Sequence, residues 1–364
     1  MPITAADHHW MAQALQWASK GRYITTPNPS VGCVLVKNEQ LIGAGHSQVA
    51  GQAHAEVMAL RMAGEQARGA TAYVTLEPCS HFGRTPPCCD ALVQAGVARV
   101  VVALQDPNPQ VAGQGLARLR EAGITVDTGV LAEAARQHHR GFLSRMTRQK
   151  PWVTLKVATT LDGKTALLNG ASQWITSPAA RADVQQLRAR SCAILTGSGT
   201  VLADDPQLTI RHIDGLPWQG RQPLAVVVDS QLRTPQTARL LQGRPSLLAH
   251  GVAKPSWAAP HAELLYLPDP QGRVDLHALL QALAVRGCSE LLVEAGSILN
   301  GALLRAGLVD EVILYLAPKL FGHHAQGAFN WPALEAVDLH TALQWIDCRH
   351  IGPDLRLTAI PTTH

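Results

Sequence analysis

The chain has little that would carry it to a nucleic acid or a membrane. Its 31 Lys and Arg nearly balance 27 Asp and Glu, leaving a formal charge of +4 over 364 residues. No dense basic run stands out, so nothing recommends a surface for a phosphate backbone. Aromatics make up only 4% of the residues, and eight Trp against four Phe leave no basic–aromatic interleaving for stacking single strands. No window approaches twenty unbroken apolar residues, which argues against a membrane-spanning helix. Near the start, His8, His9, Gln13 and Gln16 interrupt any apolar core, so no secretory signal is expected there. Cysteine is odd in number, at seven, with three close together at 79, 88 and 89. That pattern points to metal chemistry in a reducing compartment, the cytoplasm, and away from a disulfide framework.

What is present suits a buried globular protein: 46% of the residues are apolar and 16% charged. A single core rarely grows to this length, so two domains are expected. Helix and strand signals alternate through the first 145 residues. Trp10, Met11, Ala14, Leu15 and Ala18 recur at helical spacing before Gly21. Val31 to Val36, Thr71 to Leu76 and Val100 to Leu104 have the apolar runs of buried strands. His54 to Ala63 and Cys88 to Ala95 form helices stopped by Gly64 and Gly96. The polar stretch Thr147 to Pro151 marks a boundary, giving domains 1–147 and 148–364. A second alternating series follows at once. It includes a strand from Trp152 to Ala158 and a helix opened by Ser177-Pro178 and running to about Arg190. Further strands are expected at Ala193 to Thr196, Leu224 to Asp229, Leu264 to Leu267, Leu291 to Glu294, Val309 to Ala317 and Asp354 to Ile360. Such alternation predicts α/β layers in both halves.

Chemistry concentrates in the first domain. His54-Ala55-Glu56, Glu77-Pro78-Cys79 and Pro86-Pro87-Cys88 supply one imidazole, two thiols and one spare carboxylate, Glu56, within 35 residues. Three protein ligands with an open fourth position make a catalytic zinc site, whereas four make a closed structural one. His81 and Cys89 are the candidates for a fourth ligand. Glu56 is the kind of carboxylate that moves protons in zinc hydrolysis. On a regular helix it would lie about 200° around the axis from His54, so the two converge only if His54 stands at the helix entry. The His-x-Glu and Pro-Cys arrangement is the signature of zinc nucleobase deaminases.

Cys79 and Cys88 are separated by eight residues. The block Glu77-Pro78-Cys79-Ser80-His81-Phe82-Gly83-Arg84-Thr85-Pro86-Pro87-Cys88 resembles the bifunctional deaminase–reductase family of bacterial riboflavin biosynthesis. Pro27-Asn28-Pro29-Ser30-Val31-Gly32 and Asp106-Pro107-Asn108-Pro109 are similar to it as well. In the second half, so are the segments Lys156 to Gly163, Ser172 to Thr176, Val201 to Pro206 and Val293 to Gly296. The resemblance implies a cytidine-deaminase-like three-layer domain followed by a dihydrofolate-reductase-like domain. It assigns His54, Cys79 and Cys88 to Zn2+ and Glu56 to proton transfer, with Asn28 as a contact for base or ribose. It places Ala158, Trp174, Thr200, Asp204, Ser230, Gly296, Ser297, Ile298, Leu299, Asn300, Gly301 and Ala302 around NADPH. Ser172, Arg188, Leu208, Arg211 and Glu294 would face a small phosphoribosyl pyrimidine, with Lys156 or Asp204 assisting its reduction. Family members often carry His seven residues before the zinc His, and here Ser47 stands there. A homodimer is also implied. The rival reading is a zinc deaminase acting on a nucleic-acid base, with a non-catalytic second domain; the slight charge argues against it.

Overall fold

The computed structural model describes residues 3–83, 86–108, 112–336 and 340–362. The chain divides into two compact units, Met1–Lys150 and Pro151–His364. No helix among the described residues is long and apolar enough to cross a membrane.

The first unit is one five-stranded sheet with helices packed on it. Its strands are β1 (Gly32–Lys37), β2 (Gln40–His46), β3 (Thr71–Val74), β4 (Arg99–Val102) and β5 (Thr125–Thr128), in the order β2-β1-β3-β4-β5. β1 pairs antiparallel with both β2 and β3, whereas β3, β4 and β5 run parallel. The helices are α1 (Ala5–Gly21), α2 (Ala55–Ala63), α3 (Cys88–Ala95), α4 (Gln114–Glu121) and α5 (Ala132–Arg148). Thr4 opens α1 with a reciprocal capping box to Asp7. Leu35, Leu92 and Leu119 are fully buried in this core, each such side chain stabilising the fold by about 1.5–3 kcal/mol.

The strand β2 was not expected from the sequence, because Gly43 and Gly45 erase its apolar pattern. They are there for packing. A side chain on Gly43 would start 2.3 Å from the Ala59 carbonyl oxygen, and one on Gly45 2.5 Å from Met58 Cβ. Their bareness lets α2 lie directly on the sheet, and α2 carries the first chemical group at its entry.

Asp7 is buried and ties α1 to the sheet. Its carboxylate accepts from Tyr73 Oη at 2.9 Å and pairs with Arg99 at 2.7 Å, and Arg99 reaches Asp127 at 2.7 Å. Burial pushes the Asp7 carboxyl up, but hydrogen bonds from Arg99, Thr4 and Tyr73 outweigh it and hold it well below the usual carboxylate range. A group depressed on folding stabilises the fold fully above its unfolded pKa of about 3.9, and that contribution drains away as pH falls below it. The denaturant midpoint of the wild type is therefore expected to drop towards that of Asp7→Asn below about pH 4. A midpoint gap between the two proteins that stays constant from neutral pH to pH 3 would count against this assignment.

The second unit is a nine-stranded sheet. Its strands are β6 (Trp152–Thr160), β7 (Ala193–Gly197), β8 (Leu224–Val228), β9 (Ser246–His250), β10 (Ala262–Tyr266), β11 (Glu290–Val293), β12 (Glu311–Ala317), β13 (Leu343–Ile351) and β14 (Asp354–Pro361). They lie in the order β10-β9-β8-β7-β11-β6-β12-β14-β13. Neighbours from β10 to β12 are parallel, and the β13–β14 hairpin adds an antiparallel edge. Helices α6 (Pro178–Arg190), α7 (Ser198–Asp204), α8 (Leu276–Val285) and α9 (Ser297–Arg305) connect them. Ser177 caps α6 through the amide of Ala180, with Pro178 at the first helical position. In such sheets ligands bind outside the carboxyl ends of the strands. That edge carries Gly197, Asp229-Ser230 and Glu294 to Gly296, at the ends of β7, β8 and β11.

Candidate active sites

In the first unit, His54 is the residue just before α2 and has extended backbone angles, φ −78° and ψ 169°. It therefore stands outside the helical turn that carries Glu56, and both side chains line one cavity of about 440 Å³. Cys79 follows β3, and Cys88 is the first residue of α3, where its amide donates to Cys79 Sγ at 3.3 Å. His54 Nδ1 lies 3.2 Å from Cys88 Sγ and 3.6 Å from Cys79 Sγ. The three donor atoms all fall within 4.8 Å of one another. A tetrahedral zinc ion with its usual bond lengths needs edges of about 3.6 Å between such donors, so this set of two thiols and one imidazole fits it.

Hydrogen bonds from Cys88 and His54 outweigh burial and hold the Cys79 thiol well below its ordinary value. The same Cys79 contact, together with burial, pushes Cys88 well up. Burial and the neighbouring Cys79 push Glu56 up to about 7, against the opposing pull of His54. A carboxyl at that value can both take and give a proton near neutrality. Neither alternative fourth ligand joins the trio. Cys89 is buried and donates its thiol to the Pro78 carbonyl at 3.2 Å. His81 is exposed on the cavity wall. Asn28 lines the cavity and is exposed, whereas Ser47, also on the wall, uses its hydroxyl to accept from the Val31 amide at 3.1 Å. Arg84, Thr85 and Pro109 lie outside the described residues.

Glu77 was quoted in the sequence motif without a role. It is buried and accepts amides from Asp106 at 3.1 Å, Gly113 at 3.0 Å, Gly115 at 2.9 Å and Leu116 at 3.2 Å. It thereby ties the segment after β3 to the loop between β4 and α4, which brings Asp106 and Asn108 to the cavity wall. Burial pushes Asp106 up to about 6. The only sign of Glu77 in the sequence is a carboxylate ending an apolar strand.

In the second unit, Glu294 receives Arg188 as a fork, at 2.6 Å and 3.0 Å. Lys156 Nζ lies 4.0 Å from the same carboxylate. Burial would raise Glu294, yet Arg188 holds it below its ordinary value; burial lowers Lys156. The remaining Arg188 nitrogen donates to the Thr209 carbonyl at 2.9 Å. So Arg188 is committed within the protein, while the Arg211 guanidinium is exposed and its charge reaches Glu294. Leu208 is buried between them in chain order, with a left-handed φ of 52°.

The residues expected around NADPH fall along the carboxyl edge of the sheet. Gly296 caps α9 without any side-chain hydrogen bond, and a side chain there would start 3.6 Å from Thr200 Oγ1. Ser172 Oγ is 3.4 Å from Asp204 Oδ1. Trp174 is exposed, with Arg181 stacked 4.4 Å from its ring centroid. Ala158 sits half-buried in β6, and Ser230 Oγ accepts the Val274 amide at 3.1 Å. Within the run to Ala302, Gly296 and Ile298 are exposed and Ser297, Leu299 and Ala302 half-buried. Asn300 and Gly301 turn inwards: Asn300 donates to the Ala328 carbonyl at 3.2 Å, and a side chain on Gly301 would meet the Asn330 carbonyl at 2.2 Å. The uncapped α9 start suits a phosphate, and exposed Ile298 and Trp174 suit a flat ring. The residues present fit a dinucleotide.

Comparison with known proteins agrees with both halves. Residues 4–104 match the family model for the cytidine and deoxycytidylate deaminase zinc-binding region, and residues 151–357 that for the RibD C-terminal domain. The riboflavin biosynthesis protein RibD of Escherichia coli is 51% identical over 96% of this chain and 98% of its own length. The chain belongs to the RibD family. Its Haemophilus influenzae relative is 46% identical, with 99% of both chains covered. A crystal form of Acinetobacter baumannii RibD superposes with a TM-score of 0.92 at 46% identity, covering 98% of this chain and 99% of that one. A Thermotoga maritima structure described as a diaminohydroxyphosphoribosylaminopyrimidine deaminase/5-amino-6-(5-phosphoribosylamino)uracil reductase gives 0.88 at 33% identity, with 98% and 99% covered. The protein is thus a bifunctional riboflavin-biosynthesis enzyme, a zinc-dependent deaminase joined to an NADPH-dependent reductase. The nucleic-acid reading finds no support.

Proposed function

We propose that residues 1–147 deaminate 2,5-diamino-6-(5-phosphoribosylamino)pyrimidin-4-one and that residues 148–364 then reduce its ribosyl group to ribityl. The observation that carries the first half is the convergence of His54, Cys79 and Cys88 beside a buried Glu56 poised near neutrality. His54, Cys79 and Cys88 would hold zinc, which supplies Lewis acidity for hydrolysis when bound. Glu56 takes a proton from the attacking water and gives it to the ring nitrogen, then moves the remaining hydroxyl proton to the amine, which leaves as ammonia. Asn28 orients the base or ribose from the cavity wall.

In the second half, NADPH is the hydride donor when bound, held by Gly296 to Ala302 with Ala158, Trp174, Thr200, Asp204 and Ser230. The acceptor is C1 of the ring-opened ribose. Arg188 fixes Glu294, which with Ser172 and Leu208 shapes the substrate side. Arg211 is left for the phosphate, where a guanidinium fork suits the ligand. Catalysis rests on positioning the two carbons, with buried Lys156 nearby. Seven cysteines, none in a disulfide among the described residues, support a cytoplasmic setting, and a homodimer completes the reading.

Supplying the phosphoribosyl diaminopyrimidinone to the purified protein tests both halves separately. Ammonia release should fall away with a chelator, while NADPH consumption on the already deaminated substrate should not. Ammonia release that survives complete zinc removal would overturn the first half, and NADPH that is never consumed would overturn the second.

A further inference from the structure

The segment Gln207–Arg211 connects α7 to the rest of the second unit and carries both Leu208 and Arg211. It enters no sheet, so its backbone groups need other partners. The Trp218 amide takes the Arg211 carbonyl at 2.8 Å, and side chains take six further groups. Gln222 binds Ile210 at both ends, at 2.8 Å and 2.9 Å, and Gln185 accepts the Arg211 amide at 2.9 Å. Arg188 takes the Thr209 carbonyl at 2.9 Å. Arg244 takes the first two carbonyls, Gln207 at 2.7 Å and Leu208 at 3.2 Å, and anchors itself on Pro223 at 3.2 Å and Leu240 at 3.4 Å.

Arg244 is buried, and all four of these bonds go to neutral carbonyls. Burial and the nearby Arg188 charge lower it to about 10, which leaves it protonated at neutral pH. A buried guanidinium is a costly way to satisfy carbonyls. It makes sense where its geometry or its charge is used. Both are available here. Its fork bridges the residue that adopts a left-handed backbone, Leu208, to a fixed wall. Its charge adds to those of Lys156, Arg188 and Arg211, which interact around the single carboxylate of Glu294. That excess of positive charge suits a dianion.

We propose that Arg244 is a positioning residue for the phosphate end of the reductase substrate, acting through the segment that bears Arg211. It fixes the carbonyls three and four residues before Arg211, and so fixes where the exposed guanidinium starts. This inference rests on the reductase reading of the second unit.

The test uses the full chain with Arg244→Lys, which keeps the charge and loses the fork, and Arg244→Met, which loses both. NADPH binding is followed by fluorescence titration, and NADPH oxidation is followed with the deaminated substrate and with its dephosphorylated form. In both variants KM for the phosphorylated substrate should rise about tenfold, since small misplacements of a binding group are felt this strongly. KM for the dephosphorylated form should rise clearly less, through Leu208 alone, and NADPH affinity should hold, since neither involves Arg211. Equal rises for both substrates, no rise for either, or loss of NADPH binding in both variants would each overturn the proposal. A wild type that binds NADPH but reduces neither substrate would instead overturn the reductase reading itself.

Discussion

Replacing Glu56 by glutamine should lower the rate of ammonia release by about 10²- to 10⁴-fold, the range set by losing a positioned proton carrier. Glutamine keeps the size of the side chain and one acceptor oxygen but cannot shuttle a proton. Zinc content, measured on the same protein, should remain at the wild-type level, because the donor trio is His54, Cys79 and Cys88. NADPH consumption on the deaminated substrate should be unaffected, since it belongs to the second unit. The two readouts separate the roles of the groups. Loss of zinc from Glu56→Gln would make Glu56 a ligand or a support for one, and wild-type ammonia release would remove it from the chemistry. The expectation follows from burial: a carboxyl held at about 7 beside the donor trio is placed to exchange protons at neutral pH.

Glu77→Ala should have the larger effect on folding. Hydrogen bonds to a buried charged group contribute about 1.5–3 kcal/mol each, and a buried amide left without a partner costs a similar amount. Glu77 accepts four amides, from Asp106, Gly113, Gly115 and Leu116. Their losses are not additive, and a destabilisation of the first unit by at least about 3 kcal/mol is expected. Denaturant unfolding followed through the first unit should show the lowered midpoint, and ammonia release should fall as Asp106 and Asn108 leave the cavity wall. NADPH affinity should hold. An unchanged midpoint would mean that the clamp is not what keeps this loop in place.

Much of this was legible along the chain because the signals are local. α3 starts at Cys88 and ends before Gly96, which takes a left-handed conformation as its cap. α6 follows from Ser177-Pro178. The family, the two activities and both cofactors followed from motifs in the sequence. Other elements were hidden for physical reasons. β2 lost its pattern to the glycines that admit α2. β13 lies at the sheet edge with most of its residues exposed, and its Leu343, Trp345 and Ile346 are interrupted by Asp347, Arg349 and His350, so no clean alternation marks it. The helix α8 and strand β9 lie in stretches for which the sequence predicted no element.

The sequence by itself determined the family and, through its motifs, the proposed zinc donors His54, Cys79 and Cys88 and the proposed proton carrier Glu56, because these depend on side-chain identity and short spacing. Only the tertiary structure decided which groups are free to act. It turned Cys89 under the Pro78 carbonyl, committed Arg188 to Glu294 while leaving Arg211 exposed, and brought Glu77 and Arg244 to backbone groups 29 to 39 and 21 to 37 residues away. Hydrogen bonds across such separations leave no periodic trace in the chain. They exist because buried polar groups must find partners wherever folding brings them.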